Sequence, residues 1–228
     1  MEKKVIVVCE GKSDVAYLNA LQRFVENDIP LQPGQDDPLL RFVPYPELLG
    51  TCTGAYDKIV EAYHEAVEMF APDPVEIWVD ADIYIRNEAL NADPNKFNGT
   101  EYQSRPGDIP VFHFSYHNFE DFIALHCDDK TFGVWKSVVL NALNAETGKS
   151  HHDHPLSRTE HAPLFQKVLP HYSKRKTPFA LSIAHLANLR RHLADPDVLT
   201  MLPILQPGIA FGEHLLHLFD ECYPGLIP

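Results

Sequence analysis

The 228-residue chain has a net charge of −13, and an acidic surface of this kind argues against nonspecific coating of nucleic acid. Its longest strictly apolar run, Val5 to Cys9, is too short to span a bilayer, and its 45% hydrophobic content is that of an ordinary globular protein. The four cysteines are scattered without a CxxC pair, which favours neither a zinc knuckle nor a disulfide framework. We therefore expect a soluble cytoplasmic protein.

Hydrophobic periodicity and turn residues predict strands that alternate with helices, followed by helices alone. Loops rich in Pro, Asp and Gly are predicted at 27–46 and 87–110. The predicted strands are Lys4–Cys9, Leu40–Val43, Val75–Val79 and Val111–Phe114. The predicted helices are Asp14–Val25 with Ser13 as N-cap, Tyr56–Phe70, Asn118–His126, Thr131–Ala145, His161–Tyr172, Pro178–Leu193 and Ile209–Tyr223. This order predicts a parallel α/β core over residues 1–130, with a mainly helical extension over 131–228 packed on it.

Three acidic residues follow two apolar runs that are typical of buried parallel strands. Glu10 ends the first run, and Asp80 and Asp82 follow the run Val75–Val79. Parallel sheets bind ligands outside the carboxyl ends of their strands, and clustered carboxylates repel one another unless a cation or a proton neutralises them. Oxygen ligands of this kind suit Mg²⁺, with Mn²⁺ as a substitute. The sequence therefore predicts a metal site at this edge.

Two other motif interpretations fail on position. Gly11-Lys12-Ser13 follows a strand and opens a helix, but a P-loop would also need a glycine at position 6, which is Ile6 within the strand. Asp80-Ala81-Asp82 has the spacing of an aspartyl phosphotransferase motif, but that motif follows the first strand, whereas this pair comes late and continues with Ile83.

Taken in order, these motifs resemble the Toprim domain of primases, topoisomerases and OLD-type and phage-defence nucleases. The matching elements are Glu10-Gly11, Asp80-x-Asp82 and the α/β order. Residues 117–126 (HNFEDFIALH) look like the Phe-Glu-x-Trp-x-x-x-His helix of RloB-like proteins, with Phe122 in place of the Trp. Tyr172-Ser173-Lys174 resembles the C-terminal Tyr-x-Lys segment of that family. The resemblance runs in order from Glu10 to about residue 193.

The resemblance implies that Glu10 is a general acid/base or a metal ligand and that Asp80 and Asp82 bind Mg²⁺. Glu120 would approach the same cluster, with a helix-surface carboxylate as the alternative. Asp121 is the next residue on that helix and should point about 100° away, so both are not expected to ligate one ion. Asp14 lies in the first turn of a predicted helix, where its predicted role is to favour the helix dipole.

Basic residues are candidates for binding a phosphate. Residues 1–148 contain 11 Lys and Arg against 25 Asp and Glu, a net −14, whereas residues 149–228 contain 8 against 7, a net +1. Cations near a scissile phosphate neutralise the charge that develops during attack, and a solvated basic run is the alternative. Lys12 and Lys174 are the predicted catalytic cations. The predicted substrate-binding residues are Lys12, Lys174, Arg175 and Lys176.

Histidines suggest a second kind of metal chemistry. The loop sequence His151-His152-Asp153-His154 has imidazoles that favour zinc or nickel, but it lacks the i,i+4 helical spacing of a zincin. Adventitious binding or plain solvation is the preferred interpretation of that run. His214 and His217 share a predicted helix face, and the sequence indicates no third ligand for them.

The sequence therefore predicts a Mg²⁺-dependent phosphodiesterase, a nuclease acting on DNA or RNA in a prokaryotic anti-phage or restriction-associated system. One alternative is a non-catalytic or regulatory subunit that docks on an ATPase partner. Another is a small-molecule phosphohydrolase. The oligomeric state is left open, and a homo-oligomer is among the arrangements allowed.

Overall fold

The structure, a computed structural model, describes residues 2–31, 37–45, 56–80, 111–115, 119–145, 163, 165–173, 177, 179–201 and 211–228. The strands are β1 (Lys3–Cys9), β2 (Leu40–Tyr45), β3 (Val75–Asp80) and β4 (Val111–Ser115). The helices are α1 (Lys12–Asn27), α2 (Tyr56–Phe70), α3 (Phe119–Ala124), α4 (Asp129–Ala145), α5 (Ile183–Leu193), α6 (Pro196–Met201) and α7 (Phe211–Cys222).

The strands form a sheet in the order β2-β1-β3-β4, and each of the three pairings is parallel. Residues Val5 to Cys9 of β1 are almost fully buried, as expected of a central strand that is covered on both faces. The chain moves outward to β2 on one side of β1 and to β3 and β4 on the other. The direction of winding therefore reverses between β1 and β3, which is where open parallel sheets bind their ligands.

Helices cover both faces of the sheet because alternate residues of β1 point in opposite directions. Val5 and Val7 pack in a cluster with apolar residues of α1 and α7, whereas Ile6 and Val8 pack with residues of α2. The predicted apolar stripe of the first helix is confirmed. Its residues Val15, Leu18, Leu21 and Phe24 are all buried. The prediction of an α/β fold with a parallel sheet is thereby confirmed.

The C-terminal helices complete the larger apolar cluster. Phe219 of α7 lies 6.1 Å from Phe24 of α1 and 6.3 Å from Phe42 of β2, measured between ring centroids. Helix α7 also packs against α5. This cluster contains residues from both sides of position 130. The division of the chain at that position stays a prediction.

Several predicted boundaries differ from the structure. Gly11, not Ser13, is the N-cap of α1, which begins two residues earlier than predicted. The helix predicted from Pro178 begins at Ile183, after the N-cap Ser182. Helical backbone near the predicted helix 161–172 is described at 163 and 165–168, and Tyr172 lies beyond it. Helix α6 was not predicted.

Other predicted elements are confirmed with small extensions. The helix Tyr56–Phe70 has the predicted bounds, and β2, β3 and β4 each extend past the predicted C-terminal end. The predicted loop at 87–110 and the histidines at 151–154 lie outside the described residues. No helix within the described ranges combines the length and apolar character needed to cross a membrane.

Candidate metal centre

Glu10 and Asp80 are brought to one edge of the sheet by the pairing of β1 with β3. Cys9, the last residue of β1, is aligned with Trp78 of β3. Glu10 therefore lies one residue beyond this aligned pair, and Asp80 lies two residues beyond it. Neighbouring strands are about 4.8 Å apart, which puts the two backbone positions close together. They lie at the carboxyl ends of the strands that flank the reversal in winding. The backbone therefore has the arrangement expected for a ligand site.

Asp14 shapes the turn that follows Glu10. The backbone N–H of Gly11 donates a hydrogen bond of 2.7 Å to Oδ2 of Asp14, which is one half of a capping box at the start of α1. Asp14 is buried, with 9% of its surface exposed. The predicted contribution of Asp14 to the helix dipole stays a prediction, and the structure adds a second role, the hydrogen bond that caps the start of α1.

The acidic groups at this edge interact with one another. Burial, followed by the negative charge of Glu10, raises the pKa of Asp14 to about 8, and the charge of Glu120 adds to the effect. Hydrogen bonds from the backbone at Gly11 and Glu10 act in the opposite direction but do not offset it. Asp14 therefore favours its protonated form near neutral pH, chiefly because it is buried and in addition because Glu10 and Glu120 carry negative charge nearby. A divalent cation would relieve the same repulsion.

Glu120 reaches this edge from α3, as predicted for a residue that approaches the cluster. It is buried, with 9% exposure, and its Oε1 accepts a hydrogen bond of 2.9 Å from the hydroxyl of Tyr172. The Tyr172 oxygen is also 3.4 Å from Oγ of Ser13 in α1. Tyr172 thus connects Glu120 to the first helix. The sequence resemblance marked this tyrosine, but its partner comes from the tertiary structure.

Asp121 points elsewhere, as the 100° step between successive helix residues predicts. Its Oδ1 accepts a hydrogen bond of 3.0 Å from Nε1 of Trp135 in α4. Trp135 is 1% exposed. Asp121 therefore holds the indole of a core residue.

His126, the last residue of the HNFEDFIALH segment, is a buried residue that supports α3. Its Nε2 lies 2.7 Å from the hydroxyl of Tyr17, and its Nδ1 lies 3.0 Å from the carbonyl oxygen of Phe122. Burial lowers the pKa of His126 to about 3, so the ring is neutral near pH 7. We assign the proton to Nδ1, which donates to Phe122, while Nε2 accepts from Tyr17. This pair fixes α1 against the segment that carries Glu120.

Lys12 is the first residue of α1, is half-buried and follows Glu10 by two positions. Its position is compatible with the predicted contact to a phosphate at this edge. The remaining predicted residues, Asp82, Lys174, Arg175 and Lys176, lie outside the described residues, and Asp80 is described by its backbone alone. The structure thus brings together Glu10, Glu120 and the backbone of Asp80, and adds Asp14 to them.

Comparison with known proteins adds no relative. No family model, no curated protein and no solved structure matches this chain at a significant level.

The chemistry available at this edge follows from its donor atoms. Glu10, Asp14 and Glu120 offer carboxylate oxygens, which are the ligands that Mg²⁺ and Mn²⁺ prefer. Softer metals would instead favour thiolate or imidazole ligands. Partial burial lowers the local dielectric and strengthens the attraction of such a cluster for a cation. The donor atoms are of the kind that a hard divalent ion prefers, and the predicted Mg²⁺ site stays a prediction.

Proposed function

We propose that the protein is a Toprim-type, Mg²⁺-dependent phosphodiesterase that cleaves nucleic acid, of the kind found in RloB-like proteins. The observation that carries the proposal is the placement of Glu10 and the buried Asp14 and Glu120 at the carboxyl edge of a parallel sheet, where its winding reverses. Acidic side chains gathered at a ligand-binding edge are suited to a cation, and a bound cation would attract a phosphate.

In this proposal Glu10, Asp80, Asp82 and Glu120 hold the metal. When bound, Mg²⁺ neutralises phosphate charge and lowers the pKa of a coordinated water. Glu10, which follows the end of β1 and begins the turn into α1, is assigned to proton transfer at the scissile bond. Asp14 holds that turn through Gly11 and keeps the backbone of Glu10 in place.

Substrate phosphates are positioned by cations at the rim of the acidic edge. Lys12 opens α1 beside Glu10, and Lys174, Arg175 and Lys176 follow Tyr172, whose hydroxyl contacts Glu120. Cations at such positions neutralise charge that develops in the transition state. The overall charge of −13 makes tight binding to nucleic acid depend on these few residues or on a partner, such as the ATPase subunit of a restriction-associated complex.

The metal site is tested first by thermal unfolding in Mg²⁺ and in Mn²⁺. Because the ion binds the native state, 100 times its Kd should stabilise the wild-type protein by about 2.7 kcal/mol and raise its Tm. Glu10→Gln and Glu120→Gln should lose most of this shift. Glu68→Gln, on the exposed face of α2, is the matched control and should keep it. Equal shifts in all four proteins would place the metal elsewhere.

The reaction is tested with RNA, DNA and nucleotide substrates, with and without a candidate ATPase partner. Cleavage of a polynucleotide should fall by at least about 100-fold in Glu10→Gln and in Asp80→Asn, while Glu68→Gln remains active, since removal of one stabilising group typically costs 10²–10³ in kcat. Cleavage restricted to nucleotides would indicate a small-molecule phosphohydrolase. Metal binding without turnover in any combination would favour a regulatory subunit.

A further inference from the structure

A second cluster of side chains of the kinds that bind metals lies between the sheet and the C-terminal helix, away from the carboxyl edge. Glu76 comes from β3, His113 from β4 and His214 from α7. Nε2 of His214 is 2.9 Å from Oε2 of Glu76, and Nε2 of His113 is 3.5 Å from the same oxygen. One ligand atom from each residue lies within 4.8 Å of the other two. Two imidazoles therefore converge on one carboxylate.

The cluster is built into the core and is not a chance surface grouping. His113 is 1% exposed, Glu76 12% and His214 13%. The two imidazole rings stack in parallel, with centroids 3.7 Å apart and planes inclined by 10°. Nε1 of Trp78 donates a hydrogen bond of 3.1 Å to Oε2 of Glu76, which orients the carboxylate. Partners of this kind commonly fix the ligands of metal sites.

The cluster is separate from the proposed Mg²⁺ centre. Glu76 precedes Asp80 by four residues on β3, a distance of roughly 13 Å along an extended strand. His113 is aligned with Trp78, two residues before the carboxyl end of β4. The two sites therefore lie at different levels of the sheet and have different donor atoms.

We propose that Glu76, His113 and His214 bind one Zn²⁺ ion, or a closely related transition-metal ion, that joins the C-terminal helix to the sheet. Two imidazoles and one carboxylate are a known Zn²⁺ ligand set, whereas Mg²⁺ prefers oxygen alone. This inference does not depend on the proposed nuclease activity.

The distances in the cluster are close to those that a tetrahedral ion requires. Zn–N and Zn–O bonds of 2.0–2.2 Å separate neighbouring ligand atoms by about 3.4 Å in a tetrahedron. The observed separations of 2.9 and 3.5 Å lie on either side of that value, and the two stacked rings would have to turn apart for both Nε2 lone pairs to point at one ion. In the metal-free form a proton on His214 Nε2 is shared with Glu76. Metal binding moves that proton to Nδ1 or to solvent, so that the Nε2 lone pair is available to the ion.

The site is tested by titrating the metal-free, full-length protein with Co²⁺ and Zn²⁺. Tetrahedral Co²⁺ with nitrogen and oxygen ligands absorbs visible light, and Zn²⁺ should displace it with a stoichiometry of one ion per chain. We expect His214→Gln and Glu76→Gln to weaken binding at least about tenfold, since even partners of metal ligands cost 10- to 100-fold when lost. His217→Gln, exposed on the same helix, is the matched control and should bind like wild type.

Two further variants separate this site from others. A chain with His151, His152 and His154 all replaced by Gln should retain the Co²⁺ signal, since those residues are the competing histidine cluster. Glu120→Gln should also retain it while losing the Mg²⁺ shift, so the two proposals fail independently. The inference is overturned if wild type gives no tetrahedral Co²⁺ spectrum, or if His214→Gln, shown to be folded by circular dichroism, binds Zn²⁺ as tightly as His217→Gln does.

Discussion

At the scale of single residues, Tyr172 determines how Glu120 is presented to the acidic edge. Its hydroxyl donates to Oε1 of Glu120, and its ring packs edge-on against Phe165 with centroids 4.8 Å apart. A hydrogen bond to a carboxylate is typically stronger than one between neutral groups, so this contact restrains the Glu120 side chain as well as stabilising the fold.

Replacing Tyr172 by Phe removes the hydroxyl and keeps the ring. We expect the Mg²⁺ or Mn²⁺ affinity and the proposed nuclease activity to fall about 10-fold or more, because Glu120 loses the partner that orients it. Stability should fall by about 1–2 kcal/mol in urea unfolding.

The control for this change is Tyr45→Phe. Tyr45 packs on the face of the sheet that is covered by α2, where it donates a hydrogen bond of 3.2 Å to the exposed Glu65 of that helix. It should leave metal affinity unchanged. Equal losses in both variants would mean that Tyr172 acts on stability alone.

His126 makes the stability of the protein depend on pH. Its folded-state pKa of about 3 lies below the ordinary value of 6.5, because burial disfavours the charged ring. Between these values the unfolded chain binds one more proton than the native state. Stability should therefore be fully present above pH 6.5 and decrease as the pH falls toward 3, by at most about 1.4 kcal/mol per pH unit from this residue.

Urea unfolding between pH 7.5 and 4.5 measures this effect as the difference between wild type and His126→Gln. Gln can accept from Tyr17 and donate to the Phe122 carbonyl but does not titrate. The variant should show a shallower loss of stability on acidification. His217→Gln, which removes an exposed histidine, should retain the wild-type slope. A variant at position 126 with the full wild-type slope would contradict the assignment.

At the scale of secondary-structure elements, the start of α7 is placed by its close approach to two other helices. A Cβ atom at Gly212 would lie 3.1 Å from Cδ1 of Leu193, 3.3 Å from Cδ1 of Leu189 and 3.4 Å from Cε2 of Phe122. Leu189 and Leu193 belong to α5, and Phe122 belongs to α3. The glycine thus allows α7 to seat against the helix that carries Glu120. By contrast, a Cβ atom at Gly133 of α4 would meet no atom within 4 Å.

These two glycines form a matched pair for mutation. Gly133→Ala should stabilise the protein by about 0.5–1 kcal/mol, because alanine loses less backbone entropy in a helix. Gly212→Ala should be destabilising by about 1 kcal/mol, because the packed side chains of Leu189 and Leu193 must shift to admit the methyl group. Thermal and urea unfolding of both variants provide the measurement. A gain at position 212 equal to that at 133 would show that α7 can shift without cost.

At the scale of the whole molecule, the C-terminal segment closes the outer side of the sheet. Strand β2 lies at the edge of the sheet, and the hydroxyl of Tyr223 accepts hydrogen bonds from the backbone N–H groups of Leu39, at 2.9 Å, and Leu40, at 3.2 Å. Lys3 also forms an ion pair with Glu221. Residues more than 180 positions apart in sequence are thereby joined, which ties the end of the chain to the core.

Tyr223→Phe should destabilise the protein by about 1–3 kcal/mol, because the buried N–H of Leu40 loses its acceptor. Urea unfolding measures this cost, and hydrogen exchange should report faster exchange at the Leu39 and Leu40 amides. Tyr45→Phe, whose lost hydrogen bond is exposed, should cost less than about 1 kcal/mol. If the two variants unfold alike, the C-terminal tyrosine does not protect the edge of the sheet.

Local sequence was sufficient to predict most elements of this fold. Uninterrupted β-branched residues in β1 indicate a strand buried on both faces, and the spacing of Val15, Leu18, Leu21 and Phe24 indicates the inner face of α1, because burial follows the period of the backbone. Helix starts were predicted less well. The cap at Gly11 depends on the side chain of Asp14 three residues later, and the cap of α5 is Ser182, four residues after the predicted start at Pro178.

By itself, then, the sequence determined the α/β order, the buried strands and the acidic residues at their carboxyl ends, since each is recorded in neighbouring positions. The tertiary structure alone decided that Asp14 is buried beside Glu10 and Glu120, that Tyr172 contacts Glu120, and that His214 meets Glu76 and His113 rather than acting with His217. These contacts join residues far apart in the chain, and side-chain charge and metal-binding chemistry depend on distances of a few ångströms that no local pattern encodes.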